Sequence, residues 1–520
     1  MSEPLIAVTH VRARPGKSDN RPAHFEERID GRAADETTRS RDQHGSLGHV
    51  VTTVRLFLAI EVSVNDGTLR EATLTRLTAR SSSLQVGPSR WILTSMSKSP
   101  ETCPFDHHSP EHAVDPVGAY REIREGPGVV RSDRYGGFTV FTRYDDVLSI
   151  VKDHEHFSNA NELEGDEGFG GGVTLPHNPA AQRMSLAEMD PPQWNLVRRF
   201  LNPYFGADAM ERLAPTVTEI TNRFIDRFIE AGSCDLVLDL GNPVPAVVTL
   251  TMLGLPTDEW WRWSVPLHQV VYTPRDDPAH PAFVALMGSF DWINEHIREA
   301  IDDRQRSPRD DMISALVRDD GNGPFMDSDL AFETVYTMIA AGADTSTSLL
   351  SSAFFHLATH DDDRQRLIRD PGLIEAATEE FLRFYTPTQG TARTALGDAE
   401  AGGVQFRRGD RILLAWAAAN RDSSHFSDPD QFILDRPNNR HLSFAHGIHR
   451  CIGAPLARLE IQVAVREVLR RLPDYQVDVE HSPLYPDIGL MFGRQQMPAT
   501  FTAGPVEGAA STDVSGRAGR

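Results

Sequence analysis

The segment Phe444-Ala-His-Gly-Ile-His-Arg-Cys451-Ile-Gly453 constrains this chain more than any other. It sets a cysteine between two glycines. The residues that follow, Ala454 to Leu472, have the apolar spacing of a long amphipathic helix. Cys451 therefore sits just before a helix N-terminus, where unpaired N–H groups and the macrodipole favour an anion. Such an environment lowers a thiol pKa and stabilises a thiolate. Gly447 lets the backbone approach a flat ligand closely, and Gly453 keeps the space past the sulfur open. A buried free cysteine in a turn is the commonplace reading of Cys451 alone. It leaves the Phe, the two glycines and His449 at their offsets unexplained.

The rest of the chain bounds what this loop can belong to. Its 520 residues can bury a large core, and length alone allows two to four domains or one large continuous unit. A net charge of −22 argues against a nucleic-acid partner. Three cysteines exclude a disulfide scaffold and fit a reducing compartment, with Cys103 and Cys234 read as small core residues. Val50 to Val64, the longest apolar stretch near the N-terminus, is broken by Arg55 and Glu61 and is too short and charged to span a bilayer. With no cleavable leader pattern, the expectation is a cytoplasmic protein without a membrane partner.

Residues 1–95 carry a balance of +2 and the remainder −24. The first 49 residues lack periodicity, and Val50 to Thr78 has alternation enough for a short strand or two. Residues 1–95 are thus expected to be a disordered or weakly structured extension, with translation starting at Met96 as one account and a regulatory or targeting segment as the other. Residues 96–503 form the packed unit, and 504–520, rich in Gly, Ala and Ser, a disordered tail. Within the packed unit, helices are expected over Val114–Glu125, Tyr144–Val151, Met210–Glu230, Ala282–Arg304, Leu330–His360 and Leu373–Tyr385. Strands are expected over Gly137–Thr142, Val404–Phe406 and Arg411–Ala415. The glycine-rich stretch Gly165–Gly172 lacks the strand and helix of a phosphate cradle and reads as a lid. The fold class is mainly α with small β-sheets.

The cysteine segment resembles the cytochrome P-450 haem-binding signature, F-x-x-G-x-x-x-C-x-G, with Ala445 where Gly or Ser is usual. Three further segments are similar to motifs of that family, so the resemblance runs from about Met96 to Phe501. Glu380-Phe-Leu-Arg383 is similar to E-x-x-R, completed by Arg436; the resemblance gives the three a structural role beneath the cysteine loop. Asp190-Pro-Pro-Gln-Trp194-Asn-Leu-Val-Arg198 and Arg393 are similar to propionate-binding positions, with Trp194 where many bacterial members have His. His449 matches a further propionate contact. Two arginines and a histidine suit paired propionates, and an indole N–H can replace a histidine donor. The resemblance implies a P-450-like fold, haem b (iron protoporphyrin IX) as cofactor, Cys451 as the iron ligand, and Phe444, Gly447 and Gly453 around it.

Ala341-Gly342-Ala343-Asp344-Thr345, inside the long helix expected over Leu330–His360, resembles the family's oxygen-binding motif. Gly342 would bring the helix close to the haem and loosen its hydrogen bonding. Thr345 would bond the bound oxygen, and Asp344 would link that site to solvent protons. On residues alone, Thr345 back-bonding to its helix and Asp344 as a solvated side chain are the plainer readings. The implied function is a monooxygenase inserting one atom of O2 into a small hydrophobic substrate, with a terpenoid, steroid or fatty compound as candidate. Its electrons would come from NAD(P)H through a ferredoxin reductase and a ferredoxin docking near Arg440, Arg450 and Arg458. The alternatives are a peroxygenase, which commonly lacks the acid–alcohol pair, and a non-catalytic haem-binding protein.

Overall fold

The computed structural model describes residues 102–163, 171–177, 182–270, 281–319 and 325–508. The expectations for residues 1–95, and for most of the Gly165–Gly172 loop, lie outside them.

The helices are α1 (Pro110–Val114), α2 (Pro116–Glu125), α3 (Tyr144–Lys152), α4 (Gln193–Leu201), α5 (Ala207–Ile225), α6 (Pro243–Leu253), α7 (Trp260–Val270), α8 (Pro281–Arg306), α9 (Met312–Val317), α10 (Ser328–Thr359), α11 (Asp361–Arg369), α12 (Ile374–Tyr385), α13 (Trp416–Ala419) and α14 (Ala454–Arg471). The strands are β1 (Thr102–Cys103), β2 (Val129–Ser132), β3 (Phe138–Phe141), β4 (Phe157–Ser158), β5 (Ser233–Asp235), β6 (Thr391–Ala395), β7 (Ala399–Ala401), β8 (Val404–Phe406), β9 (Arg411–Leu414), β10 (Gln476–Val477) and β11 (Pro498–Thr500). One six-stranded sheet runs β1-β2-β3-β9-β6-β4, with small sheets β10-β11-β5 and β7-β8. This is the mainly α fold with small sheets that the sequence implies.

Local chemistry sets the boundaries. The helix expected from Val114 is broken at Asp115, whose backbone is non-helical and whose carboxylate accepts from Gly118 N at 2.8 Å. A residue before proline is pushed out of the helical region, and an aspartate there caps the next helix. Asp327 caps α10 in the same way, accepting from Leu330 N at 2.8 Å. The core is built around α10, which packs on α6, α7, α8 and α14. Helix α6 is apolar on every side and almost wholly buried, so it lacks the one-sided pattern that marks a helix in sequence.

Beneath the cysteine loop, Arg383 binds Glu380 through two bonds of 2.7 and 2.8 Å, and Arg436 Nε reaches both Glu380 oxygens at 3.0 and 3.1 Å. Ile433 N and Asn439 complete the carboxylate's partners. Arg383 also donates to the carbonyls of Asn420, Pro429 and Gln431. A buried ion pair is tolerable when its remaining donors are satisfied in this way. The triad thus pins α12 to the segment leading into the cysteine loop.

The expected disordered tail starts too early. Residues 504–508 are tied down: Gly504 N donates to Ile229 O at 3.1 Å, and Arg471 donates to Pro505 O at 2.9 Å. Glu507 N and Gly508 N bond Asp226, which also receives Arg471 at 2.6 Å. The composition of this stretch is loose, but Arg471 of α14, 3% exposed in its side chain, needs these acceptors.

Candidate active site

The cysteine loop is closed by Cys451 N donating to Phe444 O at 2.9 Å. Gly447 has φ +67°, and a Cβ there would lie 2.6 Å from Val151 O at the end of α3. This glycine is required by its own backbone and by packing on α3. Ala445 also takes a left-handed φ, +52°. A methyl-bearing residue pays on the order of 1 kcal/mol for that conformation, which explains why glycine suits the position. At Gly453 a Cβ would sit 3.8 Å from the Cys451 sulfur, in ordinary contact, so the space past the sulfur is open.

Cys451 lies deep in the fold, yet its side chain is exposed to a cavity. Burial raises its thiol; backbone N–H groups of Gly453 and Ala454, with Arg198 and Arg458, pull it down but do not win. The net direction is upward, opposite to the sequence expectation. A metal cation deprotonates a thiol outright when the thiol coordinates it.

Phe444, Cys451 and Leu456 form one wall of the cavity, and Ala341, Gly342 and Thr345 of α10 the other. Thr345 faces this space while its hydroxyl donates to Ala341 O at 2.7 Å. Asp344 is not in the wall. It is 3% exposed and its Oδ1 lies 2.5 Å from His268 Nδ1 on α7. The reading of Asp344 as a solvated residue fails, and so does its direct opening to water. Gly342 has a further reason besides the cavity: a Cβ there would meet Thr249 Oγ1 of α6 at 2.6 Å.

Sequence reasoning missed two groups of this wall. Thr249 Oγ1 has no hydrogen-bond partner among the described residues. Glu460 of α14 is 1% exposed, and its carboxyl is pushed up to about 8 by burial, with the bond from Ser346 at 2.6 Å acting the other way. Only its position nine residues after Cys451 could have signalled it.

Trp194 of α4, Arg393 of β6 and His449 of the cysteine loop come together. The Trp194 and His449 rings meet edge to face at 5.9 Å. The indole N–H and both His449 nitrogens are buried without hydrogen-bond partners among the described residues. Arg393 is 3% exposed, and burial lowers its guanidinium to about 10 despite the nearby Asp190. Asp190 lies 3.8 Å from His449 Nε2, beyond hydrogen-bond reach, and accepts from Ser158. Arg198 donates to Arg450 O at 2.8 Å and lies over Trp194. Buried donors without acceptors among the described residues fit a group that brings its own carboxylates.

Of the three arginines expected at a docking face, Arg440 and Arg450 are exposed. Arg458 is bound to Glu379 at 2.6 and 2.8 Å and stacks on Phe444, so it serves the loop.

A family profile described as Cytochrome P450 matches residues 259–502. A steroid C26-monooxygenase of Mycolicibacterium smegmatis is 34% identical over 74% of this chain and 92% of its own length. A mycinamicin IV hydroxylase/epoxidase of Micromonospora griseorubida is 31% identical over 78% of this chain and all of its own. The crystal structure of a myxobacterial cytochrome P450 in complex with myristic acid superposes with a TM-score of 0.68, at 29% identity, covering 76% of this chain and 98% of that one.

Proposed function

This chain belongs to the cytochrome P450 family, and from that premise we propose which of its residues perform the family's chemistry. It is a haem-thiolate monooxygenase with haem b as cofactor. When bound, the haem would supply oxygen activation, in which O2, two electrons and two protons put one oxygen atom into a C–H bond and release the other as water. The observation that carries the residue assignment is a cysteine at a helix N-terminus facing, across one cavity, the alcohol of a glycine-containing helix.

In this reading Cys451 is the iron ligand, and N–H groups at the start of α14 steady its negative charge. Phe444 and Gly453 shape the space beside the sulfur. Trp194, Arg198, Arg393 and His449 hold the propionates. Thr345 gives up its bond to Ala341 O to donate into the cavity. Gly342 keeps that helix close to α6. Asp344 holds a proton-transfer partner, His268, rather than touching the cavity. Glu460, neutral near pH 7, is a proton carrier next to Ser346.

The substrate proposed is a small hydrophobic molecule, of steroid, terpenoid or fatty type. Methionines 252, 312 and 338 line the cavity, and flexible thioethers adapt to varied apolar shapes. Steroid and myristic acid appear in the names of two similar proteins, which fits this range. A ferredoxin and its NAD(P)H-dependent reductase are proposed as electron donors, docking near Arg440 and Arg450. A cytoplasmic location is part of the proposal. Among the described residues, one stretch, Leu236–Leu253, is apolar and long enough to cross a bilayer, and 78% of it is buried in the fold. The haem unit is assigned to Met96 onward, so a chain starting there should fold and load haem.

The deciding test is Cys451→Ala. The wild-type protein, reduced and bound to CO, should show the red-shifted absorption of thiolate ligation. Persistence of that band in the variant would refute the assignment.

A further inference from the structure

A second cavity, of about 360 Å3, shares no lining residue with the one at Cys451. It lies among α2, the end of α12 and α13. Its polar side is cationic. Arg121 Nη2 and Arg421 Nη1 share one carboxylate, Asp430, at 2.9 and 3.0 Å. Arg124 donates to Ala418 O at 3.2 Å, and its nearest carboxylate in an ion pair is Glu125 at 3.8 Å, whose side chain is 66% exposed. Such a pair is weak and screened. Arg124 and Arg421 are themselves only 5% and 10% exposed in their side chains.

Three guanidiniums thus face Asp430, the one carboxylate in the cavity lining; Asp422, a second buried carboxylate acting on Arg124, is already bonded by Tyr144 N and Ser424. Buried charge is costly unless paired, and burial holds both Arg124 and Arg421 below the ordinary arginine range. The wall also carries Tyr120, 2% exposed, whose hydroxyl has no hydrogen-bond partner among the described residues. The remainder of the lining is apolar and aromatic, including Val117, Phe384 and Phe492. Ligand pockets of a few hundred Å3 commonly combine such walls with a few convergent polar groups. The fork of an arginine matches a carboxylate, and an aromatic wall matches a flat apolar body.

We propose that this cavity binds a small carboxylate with an apolar, preferably aromatic, body, at a site separate from the haem cavity. The carboxylate completes the charge of Arg124 and Arg421, and the body rests on Phe384 and Phe492.

The test is calorimetric titration of the haem-loaded full chain with phenylacetate, with imidazole saturating the iron so that the haem cavity is occupied. One molecule should bind. Phenylacetamide, which has the shape without the charge, should bind roughly tenfold or more weakly. Arg124→Gln should weaken phenylacetate by a similar factor. Arg121→Gln, at a half-exposed position that tolerates change, should weaken it roughly threefold. Both should leave the imidazole-bound haem spectrum unchanged. Absence of phenylacetate binding, equal binding of acid and amide, or unchanged affinity in both variants would each overturn the proposal. If Arg124→Gln does not fold, the Arg121→Gln result and the amide comparison decide.

Discussion

His268 Nδ1 of α7 and Asp344 Oδ1 of α10 lie 2.5 Å apart, with side chains 3% and 5% exposed. Burial alone would lower the imidazole, but Asp344 overrides it and holds His268 above its ordinary value. The Tyr485 hydroxyl also approaches Nδ1, at 3.3 Å, and Gln495 O lies 3.4 Å from Nε2. The pair joins α7 to α10 next to Thr345.

Removing the histidine leaves Asp344 buried without its partner. His268→Ala should therefore lose about 3–5 kcal/mol in urea denaturation. The raised His pKa gives the sign with pH: this stability is full below the unfolded value near 6.5 and fades as pH rises through the folded one. The gap between wild type and variant should be widest in acid and narrow in alkali. A gap that widens with pH would mean the pair is not ionised.

Thr345→Ala should leave haem loading and substrate binding nearly intact, because neither uses the hydroxyl. It should divert reducing equivalents to hydrogen peroxide. Asp344→Asn should instead slow turnover with a larger solvent isotope effect, since it disturbs supply through His268 rather than the cavity wall. Both losses are expected near the low end of the ~10²–10⁴-fold range for positioned acid–base groups. Product formed per NAD(P)H consumed, with peroxide assayed alongside, separates them. Unchanged coupling in Thr345→Ala would remove the hydroxyl from the reaction.

Glu460 gives a pH signature of its own. Its folded pKa of about 8 exceeds the ordinary 4.5, so the folded state holds a proton the unfolded state has released. Stability from this group is full below pH 4.5 and is lost as pH rises through 8. Glu460→Gln, neutral at every pH, should flatten the fall of Tm across that window and be most favourable, relative to wild type, near pH 8. Scanning calorimetry at several pH values checks this; parallel curves would show an ionised Glu460.

A chain ending at residue 503 should be less stable than the full chain. It strips Pro505 O and Glu507 from Arg471 and two N–H donors from Asp226. A loss of about 1–3 kcal/mol is expected for partners left unsatisfied. An unchanged midpoint in urea would make the docked tail incidental.

The parts of the site legible in sequence were those fixed by short-range spacing. The offsets of Phe444, Gly447, His449 and Gly453 from Cys451 are set within one loop, and Glu380 and Arg383 share one helical turn. The His268–Asp344 contact spans 76 positions, and nothing local to either residue encodes it. Helix α6 was missed because a fully buried helix has no polar face to give it a period. Glu460 reads as an ordinary polar residue of an amphipathic helix; only the packing of α14 on α10 shows that it is enclosed. The thiol's direction was misjudged because helix-end donors are visible in sequence, whereas the depth of burial that outweighs them is not.

A Cβ added at Gly342 would lie 2.6 Å from Thr249 Oγ1, which divides the long helix into a constrained edge and a tunable one. Any larger residue at 342 must displace the Thr249 side chain of α6 as well as intrude on the cavity. Met338 and Ala341 stand on the same helix and line the cavity. Libraries that aim to retarget the enzyme should therefore randomise 338 and 341 and keep 342 fixed. Tolerance to substitution along this one helix should alternate with the turn, not with distance from the iron.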